Sequence, residues 1–143
     1  MPGLCLYLLV NLRGLTYLGM TKHLNTRISQ HNSAAPSKRK HYTNRNRPWK
    51  LAAVWRGFLS RKQLAQAEYM CKHKLRCAPV SSRVNRAILK RLVNIIQTLS
   101  VWLKDTPQCL RCVVHLPLCV SQSKFINRMQ SSLCTITVPP RPK

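Results

Sequence analysis

The chain has 143 residues, enough for one compact domain with an appendage. Its 25 Lys and Arg stand against two acids, Glu68 and Asp105, for a formal net charge of +23, which excludes paired-carboxylate glycosidase chemistry and multi-carboxylate calcium or two-metal sites. So much positive charge calls for a polyanion such as DNA or RNA, while hydrophobic residues at 45% call for a folded core beneath the charged surface.

Two apolar and aromatic runs, Leu4 to Val10 and Thr16 to Met20, are separated by Asn11-Leu12-Arg13-Gly14 and predict a β-hairpin. The first run is too short for a membrane span and lacks the small-residue cleavage pattern of a signal peptide. Leu24 and Ile28 with intervening polar residues predict a helix from about His23 to His31, ended by Asn32-Ser33 and Pro36. A basic loop follows, in which Lys38, Arg39, Lys40, Arg45 and Arg47 are interleaved with Tyr42 and Trp49, a pattern suited to phosphate contacts. A merely solvated loop fits the same residues, and Lys38-Arg39-Lys40 also fits a nuclear-localisation patch.

A strand is expected from Leu51 to Leu59, after which Ser60 and Gln63 form a capping pattern that opens a second helix running to about Arg76. Pro79 and Ser81-Ser82 punctuate the chain before Val84, Ile88, Leu92, Ile95, Ile96, Leu99 and Leu103 recur at helical spacing. This third helix is amphipathic and interrupted by Asn94, Gln97 and Ser100, so no membrane span is expected. Cys112 to Val120 is compatible with a strand, and 138–143 reads as an unstructured basic tail. Seven cysteines, an odd number without a secretory signal, favour thiols in a reducing compartment.

On the second helix, Leu64, Ala67, Cys71 and Leu75 form one apolar stripe at ~100° per residue, and Glu68 falls within it. A carboxylate placed there needs a partner, either a neighbouring Lys or Arg or a metal ion. Arg27 and His31, four apart, share a face of the first helix. From the residues alone Arg27 reads as a solvated face that also suits a phosphate, and His31 as a helix-end cap or surface group that also suits proton transfer or a phosphate. Tyr7 and Tyr17 are at home as cross-strand aromatics. Cys109, Cys112, His115 and Cys119 have partial zinc-ligand spacing, but Val113, Val114, Leu116 and Leu118 alternate as in a strand, so buried thiols are expected and zinc is not.

Tyr7 in Leu6-Tyr7-Leu8, Tyr17-Leu18-Gly19, Arg27 and Glu68 occur in the order of the GIY-YIG endonuclease signature, which the chain resembles over about 4–76. Through Gln30-His31-Asn32, Thr43, Pro48-Trp49, Gly57-Phe58 and Ala67-Glu68 it is most similar to the catalytic subunits of eukaryotic structure-selective endonucleases. The resemblance implies an α/β fold, a three-stranded mainly antiparallel sheet flanked by helices, with a nuclease domain at 1–78, a helical extension at 79–106 and a cysteine-containing segment at 107–143. It implies metal-dependent hydrolysis of branched or flap DNA in repair or recombination, in the nucleus or otherwise the cytoplasm, beside a scaffold protein subunit and without a membrane. Glu68 would hold one Mg²⁺ or Mn²⁺, Tyr7 would deprotonate water, Arg27 would neutralise developing charge, and Tyr17 and His31 would orient groups or relay protons. Two departures stand out. Lys38-Arg39-Lys40 replaces a glycine-rich turn, and Cys109, Cys112, His115, Cys119 and Cys134 supply too few ligands for the two-zinc RING domain of those relatives. A basic DNA- or RNA-binding protein that retains the fold without catalysis is the alternative.

Overall fold

The first reversal of the chain is built around one side chain. Asn11 Oδ1 accepts the backbone N–H groups of Arg13 at 3.0 Å and Leu15 at 2.9 Å, while Gly14 takes φ 80°, a conformation that costs glycine little. Strands β1 (Cys5–Val10) and β2 (Thr16–Thr21) leave this turn as an antiparallel pair. The computed structural model describes residues 3–33, 46–74, 84–103, 110–115, 124, 126–129 and 134–137.

After β2 come α1 (Leu24–Asn32), β3 (Lys50–Arg56), α2 (Arg61–Lys74), α3 (Val84–Trp102), β4 (Leu110–Val114) and β5 (Cys134–Thr137). β1 is buried at all six positions, as suits a strand paired on both edges and covered on both faces. Its second partner is β3, antiparallel, with a register shift between Leu8 and Leu9. Opposite that shift, Ala52 offers its carbonyl to His115 N at 2.7 Å, so the irregularity does not waste the backbone acceptor.

The strand order is β2-β1-β3-β4-β5. The sheet therefore has five strands, not the expected three. β4 pairs antiparallel with β3 and β5 pairs parallel with β4, so the sheet is mixed. The physical reason lies in β3, whose Ala52 to Trp55 are buried. Its far edge would leave backbone groups unsatisfied in the interior without another strand, and 110–114 supplies one. The expected strand at Cys112 to Val120 is placed at Leu110–Val114; 116–120 lies outside the described residues, as does the basic tail.

The two faces of β1 carry different cores. Leu6, Leu8 and Val10 join Trp55, Leu64, Ala67, Cys71, Leu92, Ile95, Leu99 and Leu110 in the main cluster. Tyr7 and Leu9 face a smaller one with Trp49, against which Tyr17, Leu24 and Ile28 pack. On α2, Ser60 Oγ accepts Gln63 N at 3.1 Å and the Gln63 amide accepts Leu59 N at 2.8 Å, close to the predicted reciprocal cap. β3 stops at Arg56 instead of reaching Leu59 because Gly57 turns at φ 115°.

The amphipathic reading of α3 holds in detail: Ile88, Leu92, Ile95, Ile96, Leu99 and Leu103 are buried. Each such side chain contributes about 1.5–3 kcal/mol of burial. Two hydroxyls that interrupt the apolar pattern are satisfied locally, Thr98 Oγ1 donating to Asn94 O at 2.7 Å and Ser100 Oγ to Ile96 O at 2.8 Å. Among the described residues no helix is long and apolar enough to cross a membrane.

Candidate active site

On the face of the sheet covered by α1, strand alternation presents Tyr7 from β1, and the hairpin register sets Gly19 directly opposite it and Tyr17 opposite Leu9. The Tyr7 ring leans across Gly19: a Cβ there would stand 2.5 Å from the Tyr7 hydroxyl oxygen, 2.7 Å from Tyr7 Cζ and 2.9 Å from a Tyr17 ring carbon. Glycine at this point is therefore a steric requirement of the tyrosine pair.

From α1, His31 reaches the same spot. Its Nε2 lies 2.8 Å from the Tyr7 hydroxyl in a buried contact, and its ring centre is 4.9 Å from that of Tyr17. His31 is thus an interior residue of this aromatic cluster, not a surface cap. The end of α1 is held by Asn32, whose Oδ1 accepts Trp49 N at 2.7 Å and whose Nδ2 donates to Trp49 O at 3.0 Å. This two-bond clamp seats the buried Trp49 ring 6.4 Å from Tyr17. Sequence reasoning noted Asn32 and Trp49 within motifs but not their mutual bonding, which no local spacing signals.

Arg27, one turn before His31, is exposed, donates to Gln30 Oε1 at 3.2 Å and lies near enough for its charge to act on Tyr7. With Thr21, Lys22, Gln30 and Arg61 it lines an open groove of about 340 Å³. Three cations and no acid line this groove, which gives it the electrostatic character of a phosphate-binding surface.

Glu68 comes from α2, which packs against β2 and β1. Its side chain is 20% exposed, with the carboxylate bound by Lys72 Nζ at 2.8 Å, and it is close enough to act on the charge of Tyr7. Lys72 Nζ in turn lies 5.8 Å from the centre of the Tyr17 ring. Of the two partners anticipated for Glu68, the structure supplies the cation; among the described residues no cluster of three His, Cys, Asp or Glu surrounds it. Tyr7, Tyr17, Arg27, His31 and Glu68 are thereby gathered from four elements.

Of the basic loop, only Arg47 among the five cations singled out is described; it is exposed, and its guanidinium donates to Ser33 O, tying the loop to the end of α1. Lys38, Arg39, Lys40 and Arg45 lie outside the described residues. So do Cys109 and Cys119, whereas Cys112 is buried in β4 and His115 is exposed just beyond it.

Burial pushes the Tyr7 phenol up from 10.0 to about 12; the nearby Arg27 guanidinium pulls it down, and the negative charges of ionised Tyr17 and of Glu68 push it up. At neutral pH the phenol is protonated; its hydroxyl donates to Nε2 when His31 carries its ring hydrogen on Nδ1, and accepts from Nε2 in the other tautomer. A raised pKa means the folded chain holds this proton more tightly than the unfolded one, so its stabilising contribution is full below pH 10 and is lost as pH climbs through 12. The loss is on the order of 2–3 kcal/mol. Spectrophotometric titration is expected to show one tyrosine ionising last, and Tyr7→Phe to remove that step; a titration whose last step survives the substitution contradicts the assignment.

The family model of the GIY-YIG catalytic domain matches residues 4–79. The structure-specific endonuclease subunit slx1 of Aspergillus terreus is 36% identical over 73 residues, a match covering 49% of this chain and 19% of the relative. The match thus spans about a fifth of that relative's length.

Proposed function

Because the chain belongs to the GIY-YIG family, we propose that it is a metal-dependent endonuclease that hydrolyses DNA phosphodiesters at branched or flap structures. The observation that carries this reading is the Tyr7 hydroxyl 2.8 Å from His31 Nε2, with the Arg27 guanidinium and the Glu68 carboxylate near enough to act on its charge. A proton acceptor chain, a guanidinium and a hard anionic ligand are the parts that phosphodiester hydrolysis requires.

Glu68 offers one partly exposed carboxylate, with no further cluster of described ligands. That donor set fits Mg²⁺ or Mn²⁺, which retain several waters and take remaining ligands from substrate phosphate. A divalent ion held there supplies Lewis-acid stabilisation of the phosphoryl oxygens. Tyr7 receives the proton of the attacking water as it passes its own to His31 Nε2, so the costly free phenolate of a group at about 12 is not accumulated. Arg27, free of burial, neutralises charge as it develops on the phosphate. Tyr17 packs against His31 and fixes its ring plane. The groove with Lys22 and Arg61 supports a path for the DNA backbone leading to this point.

The relative is named a subunit, and we take this chain to act likewise beside a second protein, on nuclear DNA. Within the chain, 1–78 is the nuclease domain, 79–106 its helical extension and 107–143 a cysteine-containing segment. The competing reading is a basic DNA- or RNA-binding protein in which Glu68 serves only as the partner of Lys72. Incubation with branched and linear DNA in Mg²⁺ or in EDTA separates the two. The expected result is incision of branched DNA in Mg²⁺ and none in EDTA. Cleavage that persists in EDTA overturns the mechanism, and tight DNA binding without incision in Mg²⁺ favours the competing reading.

A further inference from the structure

Lys72 has no role in the mechanism above, yet both of its contacts are with the candidate site. Its ammonium lies 2.8 Å from Glu68 Oε1 and 5.8 Å from the centre of the Tyr17 ring. Glu68 is the more enclosed partner, its side chain 20% exposed against 44% for that of the lysine. A group in this position bears directly on any other cation that uses Glu68.

We propose that Lys72 is a positioning residue that holds the Glu68 carboxylate in the site and competes with the divalent ion for it, thereby setting the affinity of metal binding. The inference rests on the reading of Glu68 as the metal's carboxylate and concerns what regulates that ligand. A divalent ion approaching Glu68 meets an oxygen already engaged and a like charge beside it, and each effect weakens binding. Lysine suits the part because its ammonium is a point charge on a four-carbon stem with many rotamers, so it yields a carboxylate more readily than a forked guanidinium does. The Tyr17 ring gives the displaced ammonium a second resting place without leaving the site.

The test is paramagnetic broadening by Mn²⁺ of the backbone amide signals around position 68, a method that registers weak binding without catalysis. The parent chain is compared with Lys72→Gln, Lys72→Arg and Glu68→Gln. Lys72→Gln is expected to tighten Mn²⁺ binding roughly three- to tenfold, in line with loss of one exposed ion pair and one like charge, and Lys72→Arg to stay at the parent value or bind more weakly. Glu68→Gln is expected to abolish the local broadening. Equal affinity of parent and Lys72→Gln, with loss in Glu68→Gln, overturns the inference and leaves the ligand reading standing. Weaker binding by Lys72→Gln also overturns it. Broadening that survives Glu68→Gln, or is absent from the parent, removes the ligand reading and this inference together. Lys72 is exposed on a helix surface, so neither substitution threatens the fold.

Discussion

Glu68→Gln is expected to lower Mg²⁺-dependent cleavage of branched DNA by roughly 10³-fold, about 4 kcal/mol of transition-state stabilisation, with little change in melting temperature. The substitution preserves shape and removes the charge that a divalent ion requires of its only described carboxylate. Its structural cost is small because the Glu68–Lys72 pair spans one helical turn and is open to solvent on the lysine side. Such pairs contribute about 0.5 kcal/mol or less. Single-turnover cleavage and thermal unfolding, measured on the same preparation, therefore separate chemistry from folding. Activity within tenfold of the parent contradicts a role for Glu68 in holding metal, whatever the melting temperature does.

Gly19→Ala is the second large effect, and it acts through Tyr7. The added Cβ would lie 2.5 Å from the Tyr7 hydroxyl and 2.7 Å from Cζ, far inside contact distance. Relief by swinging a flexible side-chain end is unavailable, because Tyr7 is a rigid ring, buried, and bonded to His31. The ring has to tilt away from β2, which lengthens the bond to Nε2, or the hairpin has to open. Overpacking of this kind costs about 1–3 kcal/mol, and loss of the proton path costs roughly 10²-fold in rate. We expect both, measured as lower denaturant stability and slower single-turnover cleavage, together with a last tyrosine ionisation that moves down towards the ordinary range. Parent-like activity and titration in Gly19→Ala are incompatible with the packing described here.

Much of the site was readable residue by residue. Arg27 and His31 fall on one face because a helix repeats every 3.6 residues, and Glu68 drew notice because it interrupts the apolar stripe of Leu64, Ala67 and Cys71. Lys72 sits at the next helical turn from Glu68, yet among 25 cations that spacing alone singles out nothing. Gly19 could be assigned its steric part only once the hairpin register set it opposite Tyr7. The Asn32–Trp49 clamp joins positions 17 residues apart across a loop whose path spacing does not fix. The strand at β4 was legible in local alternation, but its pairing with β3 was not, and β5 was not expected, because pairing far along the chain leaves no local trace.

The sequence by itself determined a net charge of +23 that calls for a polyanion, because it cannot be neutralised internally, and the order of strands and helices through α3, through patterns of period two and 3.6 that operate within a few residues. Those are local or summed properties, and they survive any arrangement of the elements. Only the tertiary structure decided that the Tyr7 hydroxyl meets His31, that its burial raises the phenol to about 12, and that Lys72 shares Glu68 with the site. Distance, desolvation and competition between charges depend on which faces pack together, and that is settled when β1 buries both of its faces at once.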